Sequence, residues 1–87
     1  MNVTIEYKGA FASKTKIKEE VVEFDGESLR QLIDALAEKH GAPFKDGLLS
    51  PAGELKISVL VNSEAAALDT VLKDGDSVTF IQYMYGG

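Results

Sequence analysis

The chain has no cysteine and no tryptophan, and a single histidine, among 87 residues. Without cysteine there is no disulfide, no zinc–thiolate or iron–sulfur site and no thiol nucleophile. Any sulfur carried by this protein cannot be a cysteine persulfide on the chain itself. The lone histidine, His40, has no second ligand near it in sequence, which argues against a metal site or a catalytic imidazole. Long apolar runs are missing as well, and none approaches membrane-spanning length. The run Met1-Asn2-Val3-Thr4-Ile5-Glu6-Tyr7 lacks a basic stretch followed by an apolar core. A secretory leader is therefore not expected, and a cytoplasmic protein is. Basic charge is scarce: 9 lysines and arginines face 14 acidic residues, for a net charge of −5. That balance disfavours nucleic acid, whose phosphates it would repel. It suits either ordinary acidic solubility or a partner with a basic docking face.

What is present describes one small domain with enough apolar residues for a single core. Val3, Ile5 and Tyr7 alternate with polar residues, the pattern of a half-buried strand. Gly9 to Lys14 reads as a turn-prone stretch with Phe11 as its apolar exception, and a second strand is expected from about Thr15 to Phe24. Its apolar residues keep no strict period of two, so a twist or bulge near Glu19-Glu20 is expected. Ser28 followed by Gln31 makes a capping box, and Leu29, Leu32, Ile33, Leu36 and Ala37 recur at helical spacing. Gly41 and Pro43 end that helix near His40. Phe44 to Gly53 reads as irregular. Ile57, Val59 and Val61 alternate as a third strand, Ala65-Ala66-Ala67 suits a helical turn, and Val78 to about Gln82 forms a last strand.

The order strand, strand, helix, strand, strand fits an α+β, β-grasp architecture, a mixed sheet of four to five strands packed on one main helix. It predicts a domain over residues 1–82, the first and last strands parallel at the sheet centre, and a flexible tail over 83–87. That tail ends in Gly86-Gly87. At background glycine usage such a pair arises by chance about 0.5% of the time. Two residues without side chains can thread a narrow enzyme channel and present a terminal carboxylate. A flexible tail or cloning remnant explains the same pair. Five residues reach at most about 16–18 Å, enough for a pocket to capture the terminus while the domain stays outside.

Several segments resemble the MoaD/ThiS group of ubiquitin-like sulfur carriers, which includes the small archaeal ubiquitin-like modifiers. They are the helix start Ser28-Leu29 with Leu32-Ile33, the run Val61-Asn62-Ser63-Glu64 where the family commonly has Val-Asn-Gly-Glu, and Leu72-Lys73-Asp74-Gly75-Asp76-Ser77-Val78 before the last strand. The terminal Gly86-Gly87 completes the pattern. The resemblance implies a protein that is a substrate of its partners and not an enzyme. In that scheme an E1-like enzyme uses ATP to adenylate the Gly87 carboxylate, and the chain keeps no cofactor of its own. A sulfurtransferase then supplies sulfur for a thiocarboxylate used in cofactor biosynthesis, of the molybdopterin type or related, with a larger synthase subunit as a further partner. Alternatively, lysines of target proteins attack the activated carboxylate. Many molybdopterin-type members carry Pro-Pro and small residues before Gly-Gly; here Gln82, Tyr83, Met84 and Tyr85 stand there. Those four form a candidate recognition patch for the activating enzyme, since exposed aromatics and Met favour interfaces.

The remaining residues read as structural. Glu19, Glu20, Glu23, Asp25 and Glu27 suit a solvated strand edge. His40 sits where a cation favours the helix dipole. Asp74-Gly75-Asp76 lacks the further ligands of a calcium loop and reads as a turn. No Ser/His/Asp set, carboxylate pair or glycine-rich phosphate loop stands out. A non-covalent β-grasp interaction domain, with the glycines incidental, is the third reading of the chain.

Overall fold

The structure, a computed structural model, describes residues 1–82. Strand β1 (Asn2–Gly9) leads into a short helix α1 (Ala10–Thr15), then strand β2 (Glu19–Glu23), the main helix α2 (Leu29–His40) and a second short helix α3 (Ala42–Leu48). Strands β3 (Ser58–Val61), β4 (Glu64–Ala65) and β5 (Ser77–Gln82) follow. The five strands form one mixed sheet in the order β2-β1-β5-β3-β4. As expected, the first and last strands run parallel at its centre, from Thr4↔Ser77 to Gly9↔Gln82. Antiparallel partners flank them, β2 against β1 and β3 against β5. This is the β-grasp arrangement.

The alternation in β1 and β5 buries Val3, Ile5, Tyr7, Val78 and Phe80 on one face of the sheet. Helix α2 covers that face with Leu29, Leu32, Ile33 and Leu36, all fully buried. Its start is secured as the capping box predicts. The Ser28 hydroxyl accepts from the Gln31 N–H at 3.3 Å, and Gln31 Oε1 accepts from the Ser28 N–H at 3.0 Å. Two more free N–H groups of the first turn find carbonyls elsewhere, Leu29 on Thr70 and Arg30 on Leu68, both at 3.0 Å.

Six expectations need correction. Gly9 to Lys14 is not a turn: α1 occupies it, anchored by Phe11, whose ring is buried against Tyr7, Phe44 and Phe80. Strand β2 begins at Glu19, not Thr15, and pairs one-to-one with β1 from Asn2↔Glu23 to Glu6↔Glu19, so it holds no bulge. Its uneven apolar spacing has another cause. Val21 faces solvent at 64% exposure, whereas Glu20 shares the inner face with Val22 and Phe24. Phe44 to Gly53 is not wholly irregular, because α3 starts directly after Gly41 (φ 100°) and tolerates Pro43 in its first turn, where no intrahelical N–H bond is needed. The Ala65-Ala66-Ala67 stretch forms no helical turn. Ala65 pairs in β4, the Ala66 N–H bonds the Val59 carbonyl at 2.9 Å, and residues 68–70 are held against the start of α2. The third strand also starts one residue later than Ile57.

Phe80 lies fully buried at the sheet centre, stacked on Tyr7 at 5.8 Å between ring centroids. Replacing it with alanine (Phe80→Ala) is expected to cost about 3–5 kcal/mol, read as a lower urea midpoint at unchanged slope. A loss under about 1 kcal/mol would contradict this packing.

Candidate functional site

The site is built around the two ends of β5. At its start, the two runs that carried the family resemblance prove to be one hydrogen-bonded unit. Asn62 and Ser63 form the two-residue turn between β3 and β4, both with positive φ (50° and 69°). The Asn62 side chain donates to Asp76 Oδ1 and accepts from the Ser77 N–H, each at 2.9 Å. Asp76 Oδ2 accepts from the Lys73 N–H at 2.8 Å, and Asp74 Oδ1 from the Asn2 N–H at 2.7 Å. These bonds fold the Asp74-Gly75-Asp76 turn and fix where β5 enters the sheet. They also occupy both aspartates structurally, as the turn reading requires.

At its other end, β5 finishes beside Gly9. A Cβ at Gly9 would collide with the Gln82 carbonyl oxygen, and its φ of 70° is one that side chains disfavour. The last described residue is thus clamped to the strand that began the chain. Gln82 ends the sheet. The other proposed recognition residues, Tyr83, Met84 and Tyr85, and the proposed reactive pair Gly86 and Gly87, lie outside the described residues.

The inner face near this end carries a polar cluster that the sequence reading missed. Because β2 alternates, Glu20 points inward, and its side chain is only 12% exposed. Its Oε2 accepts from the Tyr7 hydroxyl at 2.6 Å and pairs with His40 Nε2 at 2.8 Å, while Oε1 accepts from Lys39 Nζ at 2.7 Å. A carboxylate can only accept, so His40 Nε2 is assigned the proton. Burial works to raise the Glu20 carboxyl, but bonds from Lys39, Tyr7 and His40, together with the His40 charge, outweigh it and hold it below its ordinary value. Burial, and then the bond to Glu20, push the Tyr7 hydroxyl well above the usual phenol range. The His40 ring also lies 4.8 Å from the Phe44 ring. Glu20 is therefore no solvated edge residue, and His40 does more than end a helix. The sequence signal was present: extending the inward phase of Val22 and Phe24 back by two residues reaches Glu20.

Among the described residues no group of three or more His, Asp or Glu is arranged to hold a metal. Among them, too, no helix is long and apolar enough to cross a membrane.

The model of the ThiS family matches residues 5–87, nearly the whole chain. The chain belongs to the ThiS family. It falls within the MoaD/ThiS group of ubiquitin-like sulfur carriers and protein modifiers. Its structure is similar to that of SAMP1 from Haloferax volcanii, with a TM-score of 0.85 and 27% identity over 100% of both chains. It is similar to Urm1 from Trypanosoma brucei, with a TM-score of 0.78 and 29% identity, covering 99% of this chain and 95% of that one. A third likeness is to a chain of the BexX/CysO complex of Amycolatopsis orientalis, with a TM-score of 0.75, 28% identity and 98% and 99% coverage. No curated protein matches the sequence. For this ThiS-family chain, the hydrogen bonds between Asn62, Asp76 and Ser77 give the family-like motifs a physical role as the brace of the last strand.

Two outcomes follow from the geometry. Ser63→Gly relieves a left-handed backbone without touching the Asn62 bonds, and is expected to stabilise the fold by about 0.5–1 kcal/mol in thermal or urea unfolding. Glu20→Gln removes the charge that Lys39 and His40 face, and is expected to cost about 1–3 kcal/mol at neutral pH. The Glu20 carboxyl titrates lower in the folded chain than in the unfolded one. Its contribution is therefore complete above the ordinary value of 4.5 and disappears as pH falls through the lowered value. Urea titrations across that window should show wild type and Glu20→Gln converging toward acid, and a pH-independent gap would refute the ionic role.

Proposed function

We propose that this protein is a ubiquitin-like sulfur carrier that acts through the carboxylate of Gly87. An E1-like partner uses ATP to adenylate the Gly87 carboxylate. A carboxylate is a poor electrophile, and AMP supplies the leaving group it lacks. A sulfur nucleophile delivered by a sulfurtransferase then displaces AMP and leaves a thiocarboxylate for transfer to a small acceptor in cofactor biosynthesis, of the molybdopterin type or related. Gly86 and Gly87 let the segment pass a narrow channel, and Gln82, Tyr83, Met84 and Tyr85 give the partner something to grip. The chain itself holds no catalytic group; the work is done in the cytoplasm by its partners.

The observation that carries this reading is a family match running through Gly87, on a chain whose described part ends at the end of a central strand. That strand is clamped between β1 and β3, so the domain can serve as a rigid handle for whatever follows Gln82. CysO, a similar chain, was solved in complex with a second protein, BexX, which supports a role exercised through a partner. The likeness to the small archaeal modifier protein SAMP1 favours a second outcome for the same activated group, isopeptide linkage of Gly87 to lysines of other proteins.

Intact mass of the protein, incubated with its cognate activating enzyme, ATP and a sulfur source, should show a fraction with one oxygen replaced by sulfur. Deleting Gly87 should abolish it. A mass that never departs from the plain carboxylate form would refute the carrier reading. Lysine peptides bearing a Gly-Gly remnant, dependent on Gly87, would instead establish the modifier.

A further inference from the structure

The two outer strands of the sheet are β2 and β4. Strand β4 is two residues long, whereas β2 runs from Glu19 to Glu23 in regular register, without proline or bulge. One side of β2 is taken up by β1. The Phe24 N–H bonds the Met1 carbonyl at 2.8 Å, and the Lys18 carbonyl accepts from the Tyr7 N–H at 2.9 Å. An antiparallel strand turns its backbone groups alternately to its two sides. Lys18, Glu20, Val22 and Phe24 therefore face β1, while Glu19, Val21 and Glu23 turn their N–H and C=O groups away from it. Among the described residues those groups have no hydrogen-bond partner. The exposed Val21 side chain stands at the middle of this open edge. The edge is also held in place, because Glu20 ties β2 to Lys39 and His40 at the end of α2.

Open backbone on a regular strand is a template for another strand, and charge decides which one fits. On the outer face, Glu19 and Glu23 flank Val21 at two residues on either side. On the inner face, a trough of about 300 Å³ lies between the end of β2 and α2, with Phe24 and Ala35 at its apolar part and Asp25, Asp34 and Glu38 around it. Asp34 is paired with Lys45 at 3.2 Å. Glu19, Glu23, Asp25 and Glu38 have no ion pair among the described residues. A second copy of the chain fits poorly here. Pairing β2 with itself about Val21 would set Glu19 against Glu23 twice, and like charges directly opposite repel. A segment with lysine or arginine at those two places and an apolar residue between them meets opposite charge, apolar contact and open backbone together.

We propose that the open edge of β2 is a docking site for an extended basic segment of a partner protein, which adds to the sheet as a strand beside β2. The backbone of Glu19, Val21 and Glu23 holds the segment, and their side chains select its alternating basic and apolar residues. Because β2 is already fixed to β1 and α2, only the incoming segment has to become ordered. The site uses none of the residues from Gln82 to Gly87 and is independent of the carrier reading.

The test is NMR on the isotope-labelled protein, titrated to millimolar concentration with the end-capped peptide Ser-Lys-Thr-Val-Thr-Lys-Ser. The amide signals of Glu19, Val21 and Glu23 are expected to shift and their hydrogen exchange to slow. The Glu20 and Val22 amides, already turned to β1, should keep the exchange rates they have. The double substitution Glu19→Gln and Glu23→Gln, at two exposed positions, should weaken binding by about 2- to 30-fold, and added salt should weaken it in the wild type. A peptide with glutamate in place of both lysines should fail to bind, as should one N-methylated at its valine, which loses the donor facing Val21. An unmoved β2, shifts without slowed exchange, or equal binding of the N-methylated peptide overturns the proposal. So does exchange at Glu19, Val21 and Glu23 that slows with rising protein concentration in the absence of peptide, which would give the edge to a second copy.

Discussion

Parallel pairing of β1 with β5 brings the first and last strands of the chain together at the centre of the sheet, residue against residue from Thr4↔Ser77 to Gly9↔Gln82. The register sets Tyr7 beside Phe80, and on that stacked pair rest Phe11 from α1 and Phe44 from α3. Parallel strands cannot be joined by a tight turn. The intervening chain must cross the sheet face, and it does so through α2, whose apolar stripe seals the core. The direction of β5, and so the edge at which the described chain ends, follows from the same pairing.

The proposed carrier role makes two demands on the domain, and the sheet meets both. The strand leading to the terminus must not fray, which central placement between two partners and the collision-tight contact with Gly9 ensure. The entry of that strand must be fixed as well. The side chains of Asn62 and Asp76 do this from two different turns, by bonding each other and the backbone of the segment that becomes β5. In the second respect it is residues that mark the family, Asn62 and Asp76, that hold the start of the strand.

Local patterns in the sequence determined a good deal. The period of two in Val3, Ile5 and Tyr7, the Ser28/Gln31 box and the stripe from Leu29 to Ala37 each report an element through neighbours in sequence, and the order of elements limits the fold to few candidates. The family-like motifs likewise stand in plain view. Other features depended on partners distant in the chain, and only the tertiary structure decided them. Helix α1 forms under a buried Phe11 whose contacts come from residues 7, 44 and 80, and the 66–70 stretch is held by Val59 and by the start of α2. Glu20 looks like one more exposed acid until the β1–β2 register turns it inward to meet Tyr7, Lys39 and His40. Periodicity is written along the chain, but the partners that satisfy a buried charge or a short helix are supplied by the fold.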